Sequence, residues 1–407
     1  MLTQSKLIKF CTSVFKKLGM DDEKAKDTSE VLVEADMMGH STHGVRLLPL
    51  YIKDIEAGNM KPSGNQITLN DTGSCITIDG DNLPGIWLTK QGLKLSSERA
   101  KIYGVSTILI KNSHHNGALA AYLLPVVEQG LVPMIKCSVP SAASVAPFGG
   151  TKALLTPDPM ALAFPTNGEP VIIDISASIT TNNMIADKIV KNEMFDFNCL
   201  LTKDGIPTND PKEVFENNGT VMPLGGLEYG HKGFGLALGI EALSQGLSGS
   251  GRSRKLKTMN LSIYIQVIDP NAFAGIDAFK NEMSFLYNEC INNPPIDKNN
   301  KVRMPGQNAL LSRKKSIENG IYLSKETLKS LEEIKTRNYK LHIVRGILMT
   351  LTYYFIVKGI ILLPLSIAYP IILSAPVLLS VLGILVLKES LYLSKIISLI
   401  LAMTAGF

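Results

Sequence analysis

The sequence has few cysteines and no pattern that would pair them. The five cysteines are widely separated, and no two of them form a CxxC pair. They are Cys11, Cys75, Cys137, Cys199 and Cys290. An odd and scattered set indicates neither a disulfide framework nor a cysteine-based zinc site. The simplest interpretation is a reducing compartment, and we expect the cytoplasm.

The sequence also has little excess of one sign of charge over the other. The 407 residues carry a formal net charge of +5, and the basic residues are scattered along the chain. Nucleic acid is therefore not an expected partner. The apolar residues of the N-terminal stretch, such as Leu7, Val14 and Leu18, follow helical spacing instead of forming the unbroken run of a signal peptide. We expect no export.

The chain lacks the glycine fingerprints of the common nucleotide-binding folds. Gly233, Gly235 and Gly239 form GxGxxxG, which is neither the Rossmann GxGxxG nor the P-loop GxxxxGK[ST], and no apolar strand precedes them. A Rossmann domain is therefore not predicted. Lys232 lies at the same glycine-rich turn, where it and the start of an amphipathic helix would attract an anion.

Strand-like and helix-like segments are mixed along the first 335 residues. Two helices are predicted to open the chain, the first ending at Gly19 and the second capped by Asp21. The predicted strands are QITLN, SCITIDG, VSTILIKNS, VPMIKCSV, VIIDIS and LSIYIQVID. The predicted later helices are WLTKQGLKLSSERAKI, ALAAYLLPVVEQG, FGLALGIEALSQGL and a Ser-capped SKETLKSLEEI. This mixture indicates an α/β or α+β domain of enzyme size.

The chain changes character near residue 340, because only five charged side chains follow it. Three apolar segments lie there, at roughly 342–362, 365–387 and 391–405, each at or near the length of a membrane-spanning helix. The basic residues before them favour a cytoplasmic flank. A buried helical hairpin of a soluble protein is the alternative. The predicted division is a domain at 1–335, a junction at 336–340 and an all-α, transmembrane-like tail at 341–407.

Two histidine clusters are the candidates for chemistry. His40, His43 and Arg46 lie at the end of a predicted helix, and His114 and His115 follow an apolar strand. A histidine that is neutral near pH 7 can take or give the proton of a hydroxyl group. No third ligand follows at metal-binding spacing, so no metal site is predicted. Adjacent histidines on an extended stretch point opposite ways, so at most one of His114 and His115 should face a substrate.

Nine ordered sequence blocks together resemble a known family. They are THG, SHHNG, VAPFGG, DPMALAFP, DIS-S, GIPTNDP, PLGG with HKGFGLAL, IDP-AF and V-MPGQ. This set resembles the malate/L-lactate/L-sulfolactate dehydrogenase family, which includes ureidoglycolate dehydrogenase, 2,3-diketogulonate reductase and the cyclic-ketimine reductases. The resemblance covers about residues 3–335. It implies hydride transfer between NAD or NADP and a small 2-hydroxy acid or 2-oxo acid of the malate, lactate, sulfolactate or ureidoglycolate type.

The resemblance also implies a fold and an assembly. We expect an α/β domain with a mixed twisted sheet, a helical N-terminal part and a cofactor site that is not of the Rossmann type. Homodimers are typical of the family, with the cofactor cleft near the subunit boundary.

Site residues carry over position by position. Thr42 with His43, and His115, match the histidine motifs of the family, and acid/base duty is assigned to the histidine pair as a whole. Arg46 is the expected clamp for the substrate carboxylate, although many relatives have this arginine where Leu47 stands here. The expected cofactor contacts are Asp174, Ser176, Ser178, His231, Lys232, Gly233, Pro305 and Gly306.

Departures from the family pattern keep two alternatives open. Asp158 stands where relatives usually have an amide, and Pro140 falls near a common asparagine. These differences motivate a degenerate, non-catalytic member fused to a transporter fragment. The other alternative is a cyclic-imine or diketo-sugar acid reductase of the same family.

The tail resembles an internal stretch of the EamA-type drug/metabolite transporters, including Pro376 and the closing Lys388-Glu389. About three of their roughly ten spans are present, and one fragment cannot supply the paired repeats of alternating access. We expect a gene fusion or a reading-frame artefact that would at most tether the enzyme to the inner or plasma membrane. A transport protein is the remaining hypothesis.

Overall fold

The structure is a computed structural model, and it describes residues 2–256 and 258–336 together with 354, 357 and 358. The first compact unit of the chain is Met1–Leu331. The histidine clusters and every predicted cofactor residue lie in this unit.

Three helices form the N-terminal part. They are α1 (Gln4–Lys17), α2 (Asp22–Met37) and α3 (Leu48–Glu56). The predicted apolar face of α2 is buried from Ala25 to Ala35 and packs against α1. Asp21 precedes α2 as predicted, but its carboxylate accepts a 2.7 Å hydrogen bond from the Lys24 ammonium and makes no side-chain cap. Two short 3-10 turns lie between α2 and α3, and the first of them, Ser41–His43, contains His43.

A seven-stranded sheet forms the centre of the unit. Its strands are β1 (Ile67–Asp71), β2 (Cys75–Asp79), β3 (Val105–Ser113), β4 (Val132–Ser138), β5 (Pro159–Phe164), β6 (Val171–Ser176) and β10 (Leu261–Ile268). They lie in the order β1-β2-β3-β10-β4-β5-β6. Only β2 and β3 pair in parallel, and the other neighbours are antiparallel. The mixed α/β fold is confirmed, and its sheet lacks the parallel arrangement of a Rossmann domain. Strand β5 is absent from the prediction, because prolines flank its short apolar run.

Helix α4 (Gly85–Tyr103) covers one face of this sheet. Gly92 allows the close packing, because a Cβ there would lie 2.6 Å from Ile265 and 3.2 Å from Ile110. Both isoleucines are fully buried.

A second layer, here called the small-sheet region, has its own apolar core. It contains β7 (Leu200–Leu201), β8 (Pro207–Thr208), β9 (Thr220–Val221), α6 (Asn182–Lys191), α7 (Lys212–Glu216) and α8 (Gly226–Glu241). Ile185, Phe195 and Val221 are buried together in this core. Strands of two residues carry no readable periodicity, which is why the sequence did not predict this sheet.

Four further helices complete the described part of the chain. They are α5 (Leu124–Val127), α9 (Ile276–Ile291), α10 (Gln307–Asn319) and α11 (Lys325–Thr336). The predicted Ser cap of α11 is confirmed, since the Thr327 amide donates to the Ser324 hydroxyl at 3.2 Å. No helix among the described residues has both the length and the apolar content to cross a bilayer. The three apolar segments predicted for the tail lie outside the described residues, apart from positions 354, 357 and 358.

Candidate active site

His43 and His115 lie together, although 72 positions separate them in sequence. Their ring centroids are 5.8 Å apart and their planes are inclined by 20°. Gly44 shapes the first segment, because a Cβ there would lie 2.3 Å from the Asp36 carboxylate, which accepts the Val45 amide at 2.8 Å. The THG motif therefore places His43 partly because glycine makes room for a buried carboxyl group.

His43 has a hydrogen-bond partner at each ring nitrogen. Its Nδ1 lies 2.9 Å from the Thr42 hydroxyl, and its Nε2 lies 3.3 Å from the Asn183 side-chain nitrogen on α6. Burial lowers the pKa of His43 to about 4, and the nearby His40 acts in the same direction. The ring is therefore neutral at pH 7.

His115 is held by α3 and by its own turn. Its Nδ1 lies 2.9 Å from the Tyr51 hydroxyl and accepts the Gly117 amide at 3.3 Å. An amide N–H can only donate, so Nδ1 carries no proton and the neutral ring carries its proton on Nε2. Burial lowers the pKa of His115 to about 3, and His43 and His114 add to the effect. This ring is also neutral at pH 7.

His114 has different partners from its neighbour. Its Nε2 lies 3.1 Å from an Asp54 carboxylate oxygen, and its ring meets Tyr51 edge-on with the centroids 5.6 Å apart. Only 2% of the residue is exposed. His114 therefore packs against Tyr51, the same side chain that contacts His115.

The Arg46 guanidinium is already paired with a side chain of this protein. It forms an ion pair with the Asp187 carboxylate of α6. The arginine thus already holds a carboxylate, the group that the resemblance assigns to it. Sequence reasoning missed both Asn183 and Asp187. No local pattern links them to a motif about 140 positions earlier.

A cleft of about 820 Å³ contains three of the eight predicted cofactor residues. They are Asp174, Pro305 and Gly306. One Asp174 carboxylate oxygen accepts the Ala120 amide at 2.9 Å, and burial raises the pKa of Asp174 while the nearby His40 opposes this shift. Gly306 adopts φ +81°, and a Cβ there would lie 2.6 Å from the Ile172 carbonyl oxygen.

His40 and two basic residues line the same cleft. Lys301 and Arg303 stand on the segment that leads to Pro305. The sequence KVRMPG contained this signal, because two cations directly precede the glycine turn. The cleft therefore combines one carboxylate with basic side chains, and its volume lies in the ordinary range for small-molecule sites.

The other five predicted cofactor residues lie at the end of β6 and on α8. The Ser176 hydroxyl donates to the Ser178 carbonyl at 2.8 Å, and the Ser178 hydroxyl donates to the Thr180 carbonyl at 2.7 Å. Gly233 is buried, and a Cβ on it would lie 2.4 Å from the Leu224 amide nitrogen. The serine hydroxyls thus close the local turn, and Gly233 lets α8 approach it.

His231 and Lys232, by contrast, are exposed on α8. The His231 ring lies edge-on to Phe148 with the centroids 5.7 Å apart. The Lys232 ammonium lies 5.2 Å from the centroid of the Tyr229 ring. Both side chains are therefore open to solvent.

Asp158, the main departure from the family pattern, is fully buried. Its carboxyl group accepts the Thr156 hydroxyl and lies near the ion pair in which Arg252 donates to Glu241 at 2.6 Å. Burial raises the pKa of Asp158 to about 7, and Glu241 adds to the rise. The carboxyl group is therefore packed in the interior and does not present a charge at the surface.

Comparisons with known proteins match the chain to two families and to several relatives. The model of the malate/L-lactate dehydrogenase family matches residues 2–332, and that of the EamA-like transporter family matches residues 321–407. A malate dehydrogenase of Pyrococcus abyssi is 30% identical over 344 residues, covering 83% of this chain and 94% of the relative. A malate/(S)-sulfolactate dehydrogenase of Methanothermus fervidus is 31% identical over 328 residues, covering 79% and 93%.

A solved structure of similar fold is that of malate dehydrogenase from Pyrococcus horikoshii. It superposes with a TM-score of 0.75 at 29% identity, covering 83% of this chain and 94% of that one.

Proposed function

The chain belongs to the malate/L-lactate dehydrogenase family, and on that premise we propose that it transfers a hydride between NAD or NADP and a small 2-hydroxy acid or 2-oxo acid. The observation that carries the proposal is the pair of neutral histidines, His43 and His115, with ring centroids 5.8 Å apart. Two neutral imidazoles on one substrate oxygen can supply a proton acceptor and a hydrogen-bond donor.

The reaction balances with these groups. In the oxidative direction the hydride leaves C2 of the hydroxy acid for the nicotinamide, and the hydroxyl proton passes to a ring nitrogen of the histidine pair. The C–H and O–H bonds break and the C=O bond forms. In the reductive direction the same proton returns to the oxygen. Bound NAD or NADP supplies the acceptor or donor of the hydride.

The cleft of about 820 Å³ is the proposed site of one part of such a cofactor. Asp174 can accept hydrogen bonds from ribose hydroxyls, and Lys301 and Arg303 can attract phosphate groups. Contacts at Ser176, Ser178, His231, Lys232 and Gly233 remain predictions, with the exposed His231 and Lys232 as the side chains open to a ligand.

A small anionic substrate suits Arg46. The relatives named above act on malate or sulfolactate, which carry a carboxylate beside the reacting carbon. A substrate carboxylate would replace Asp187 as the partner of the Arg46 guanidinium. Thr42 would contribute by holding His43 Nδ1.

Exposed apolar side chains support the proposed homodimer. Leu227 and Leu238 on α8 and Phe285 and Leu286 on α9 all lie at the surface. A second copy of the chain would remove such area from water. This contact remains a proposal, as does a cofactor cleft near the subunit boundary.

The enzyme part is proposed to end near residue 335. Ile321 is buried and pairs with Leu2, so the segment shared by the two family matches packs with the dehydrogenase part. We propose a cytoplasmic enzyme domain that the tail at 341–407 would at most tether to a membrane. The transport hypothesis concerns the tail, which lies outside the described residues apart from positions 354, 357 and 358.

Two alternatives differ in how far the structure supports them. A cyclic-imine or diketo-sugar acid reductase needs the same cofactor and the same proton-handling pair. The alternative of a degenerate, non-catalytic member rests partly on Asp158. Its carboxyl group is buried and not exposed to a ligand, so this part of the argument is weakened. The cyclic-imine or diketo-sugar acid reductase is therefore one possible outcome of the substrate test below.

The test is a substrate panel on the purified full chain. NADH and NADPH oxidation would be followed by absorbance with 2-oxo acids matching malate, lactate, sulfolactate and ureidoglycolate, and with a cyclic imine and a diketo-sugar acid. We expect turnover with at least one 2-oxo acid. Cofactor binding by a folded protein without turnover on any 2-oxo acid would contradict the proposal.

A further inference from the structure

Asn183 contacts the histidine pair from the small-sheet region. It lies in the first turn of α6, and its side-chain nitrogen is 3.3 Å from His43 Nε2 and 3.3 Å from the Thr42 carbonyl oxygen. Asn183 is thus the residue of α6 that reaches a ring nitrogen of His43.

The Thr42 carbonyl fixes which way the Asn183 amide is turned. A carbonyl oxygen can only accept, so the atom that faces it must be the NH2 group of the asparagine. The same NH2 group faces His43 Nε2. One of its hydrogens is directed to the carbonyl oxygen and the other to the ring nitrogen.

This arrangement determines the tautomer of His43. Nε2 must be an acceptor, since a protonated Nε2 would set one N–H against another. The proton of the neutral ring then sits on Nδ1, where the Thr42 hydroxyl oxygen accepts it at 2.9 Å. His115 has the opposite tautomer, because the Gly117 amide donates to its Nδ1.

We infer that Asn183 is a positioning residue that holds His43 in the Nδ1–H tautomer, so that Nε2 presents a lone pair while His115 presents an Nε2–H. The two stacked rings are thereby made unequal. One can accept a hydrogen bond or a proton, and the other can donate a hydrogen bond.

Two further contacts keep Asn183 at this place. Ile185, two residues later on α6, is fully buried in the core of the small-sheet region. Asp187, one turn after Asn183, forms the ion pair with Arg46. Helix α6 is therefore fixed on one side by apolar packing and on the other by a charge pair on the segment that carries His43.

The catalytic consequence rests on the proposed function. A substrate hydroxyl donating to His43 Nε2 would take the place of the Asn183 N–H, so the asparagine prepares the nitrogen for the group that replaces it. The oxidative proton would then go to His43, with His115 donating to the same oxygen.

The tautomer is measured directly by two-bond 1H–15N NMR spectra of the full chain labelled with 15N at histidine. The chain has six histidines, and loss of one spin system in His43→Gln assigns His43. We expect a protonated Nδ1 and an unprotonated Nε2 for wild-type His43 at neutral pH. An Nε2–H tautomer in the wild type would overturn the inference without any variant.

Two variants and a control test the role of the asparagine. Asn183→Ala should populate the Nε2–H form of His43, and Asn183→Asp, which offers only acceptors, should convert Nε2 to a protonated nitrogen. Met184→Ala, at an exposed neighbour on the same helix, should leave the spectrum unchanged. An unchanged His43 tautomer in both Asn183 variants would overturn the role.

Activity separates this inference from the proposed function. If the wild type turns over a 2-oxo acid, Asn183→Ala should lower kcat about tenfold with little change in the KM for the cofactor, and Met184→Ala should not. An altered tautomer with unchanged kcat would refute the catalytic consequence. If no substrate is turned over, the proposed function fails while the NMR result still decides the tautomer.

Discussion

The histidine pair and the proposed cofactor region differ in how many hydrogen bonds hold their side chains in place. His43 is held by hydrogen bonds with Thr42 and Asn183. His115 is held by hydrogen bonds from the Tyr51 hydroxyl and the Gly117 amide. The proposed cofactor region has a cleft at Asp174, while the side chains of His231 and Lys232 are exposed to solvent. The groups proposed for proton transfer are thus held by several hydrogen bonds within one chain, whereas the side chains proposed to bind anions have few partners.

This difference indicates where activity should be most sensitive to substitution. A ring fixed on two sides tolerates little change, because loss of one partner alters its tautomer or orientation. An exposed lysine tolerates substitution better, since water replaces its contacts. The predictions below probe this contrast from the largest expected effect to the smallest.

Replacement of either paired histidine should have the largest effect. His43→Ala and His115→Ala each remove a group that handles the substrate oxygen, and we expect kcat to fall about 100- to 10,000-fold. Lys232→Met, in the exposed part of the cofactor region, should mainly raise the KM for the cofactor. Steady-state kinetics would measure both. Equal losses of kcat in all three variants would contradict the contrast.

Asp158→Asn should change how stability depends on pH. The folded-state pKa of Asp158 is raised to about 7, while an unfolded aspartate titrates near 3.9. The folded form keeps this proton, so its contribution is full below pH about 4 and is lost as the pH rises to about 7. The variant should therefore have a flatter profile of Tm against pH over this window.

The wild-type slope should be reduced by Asp158→Asn but not abolished. Burial also raises the pKa of Asp36 to about 7, and this carboxyl group remains in the variant. We expect the variant to gain most, by up to a few kcal/mol, above pH 7. A steeper slope in Asp158→Asn would contradict the buried, protonated state.

Gly233→Ala should destabilise the turn beside the cofactor region. The new Cβ would lie 2.4 Å from the Leu224 amide nitrogen, so backbone would have to shift at a cost of about 1–3 kcal/mol. Gly235→Ala is the matched control on the same helix, because no atom lies within 4 Å of its Cβ position. Urea unfolding would compare them, and equal stability would refute the close approach of α8.

Asp187→Asn should have the smallest effect and the opposite sign. The neutral side chain holds the Arg46 guanidinium less strongly, so a substrate carboxylate can bind there more readily. We expect the KM for the 2-oxo acid to fall a few fold at low salt, as is typical of a partly exposed ion pair. Glu193→Gln, which breaks the exposed Lys188–Glu193 pair near the same helix, is the control. A raised KM in Asp187→Asn alone would contradict the clamp role of Arg46.

The sequence predicted well what depends on local pattern. Six of the seven strands of the large sheet and the helices α1 and α2 follow from alternation, helical spacing and glycine stops. The motifs around His43 and His115 were visible because turn glycines flank them. Gly44 and Gly117 have clear steric or conformational reasons in the structure.

The sequence could not predict contacts made by distant segments. Asn183 and Asp187 stand on an ordinary amphipathic helix, and nothing in TTNNMIADKI indicates that it meets the THG segment. The surroundings of Asp158 likewise come from distant segments, since Glu241 raises its pKa and Arg252 lowers it. Such contacts are set by the packing of the small-sheet region, which has no periodic signal of its own.

The most direct test of the account follows the hydride itself. The full chain would be incubated with oxidised NAD or NADP and a 2-hydroxy acid deuterated at C2, chosen from malate, lactate and sulfolactate. The deuterium content of the reduced cofactor would be read by mass spectrometry. The account predicts deuterium in the reduced nicotinamide with the wild-type chain and none with His43→Ala/His115→Ala. Tight cofactor binding without deuterium transfer from any of these acids would contradict it.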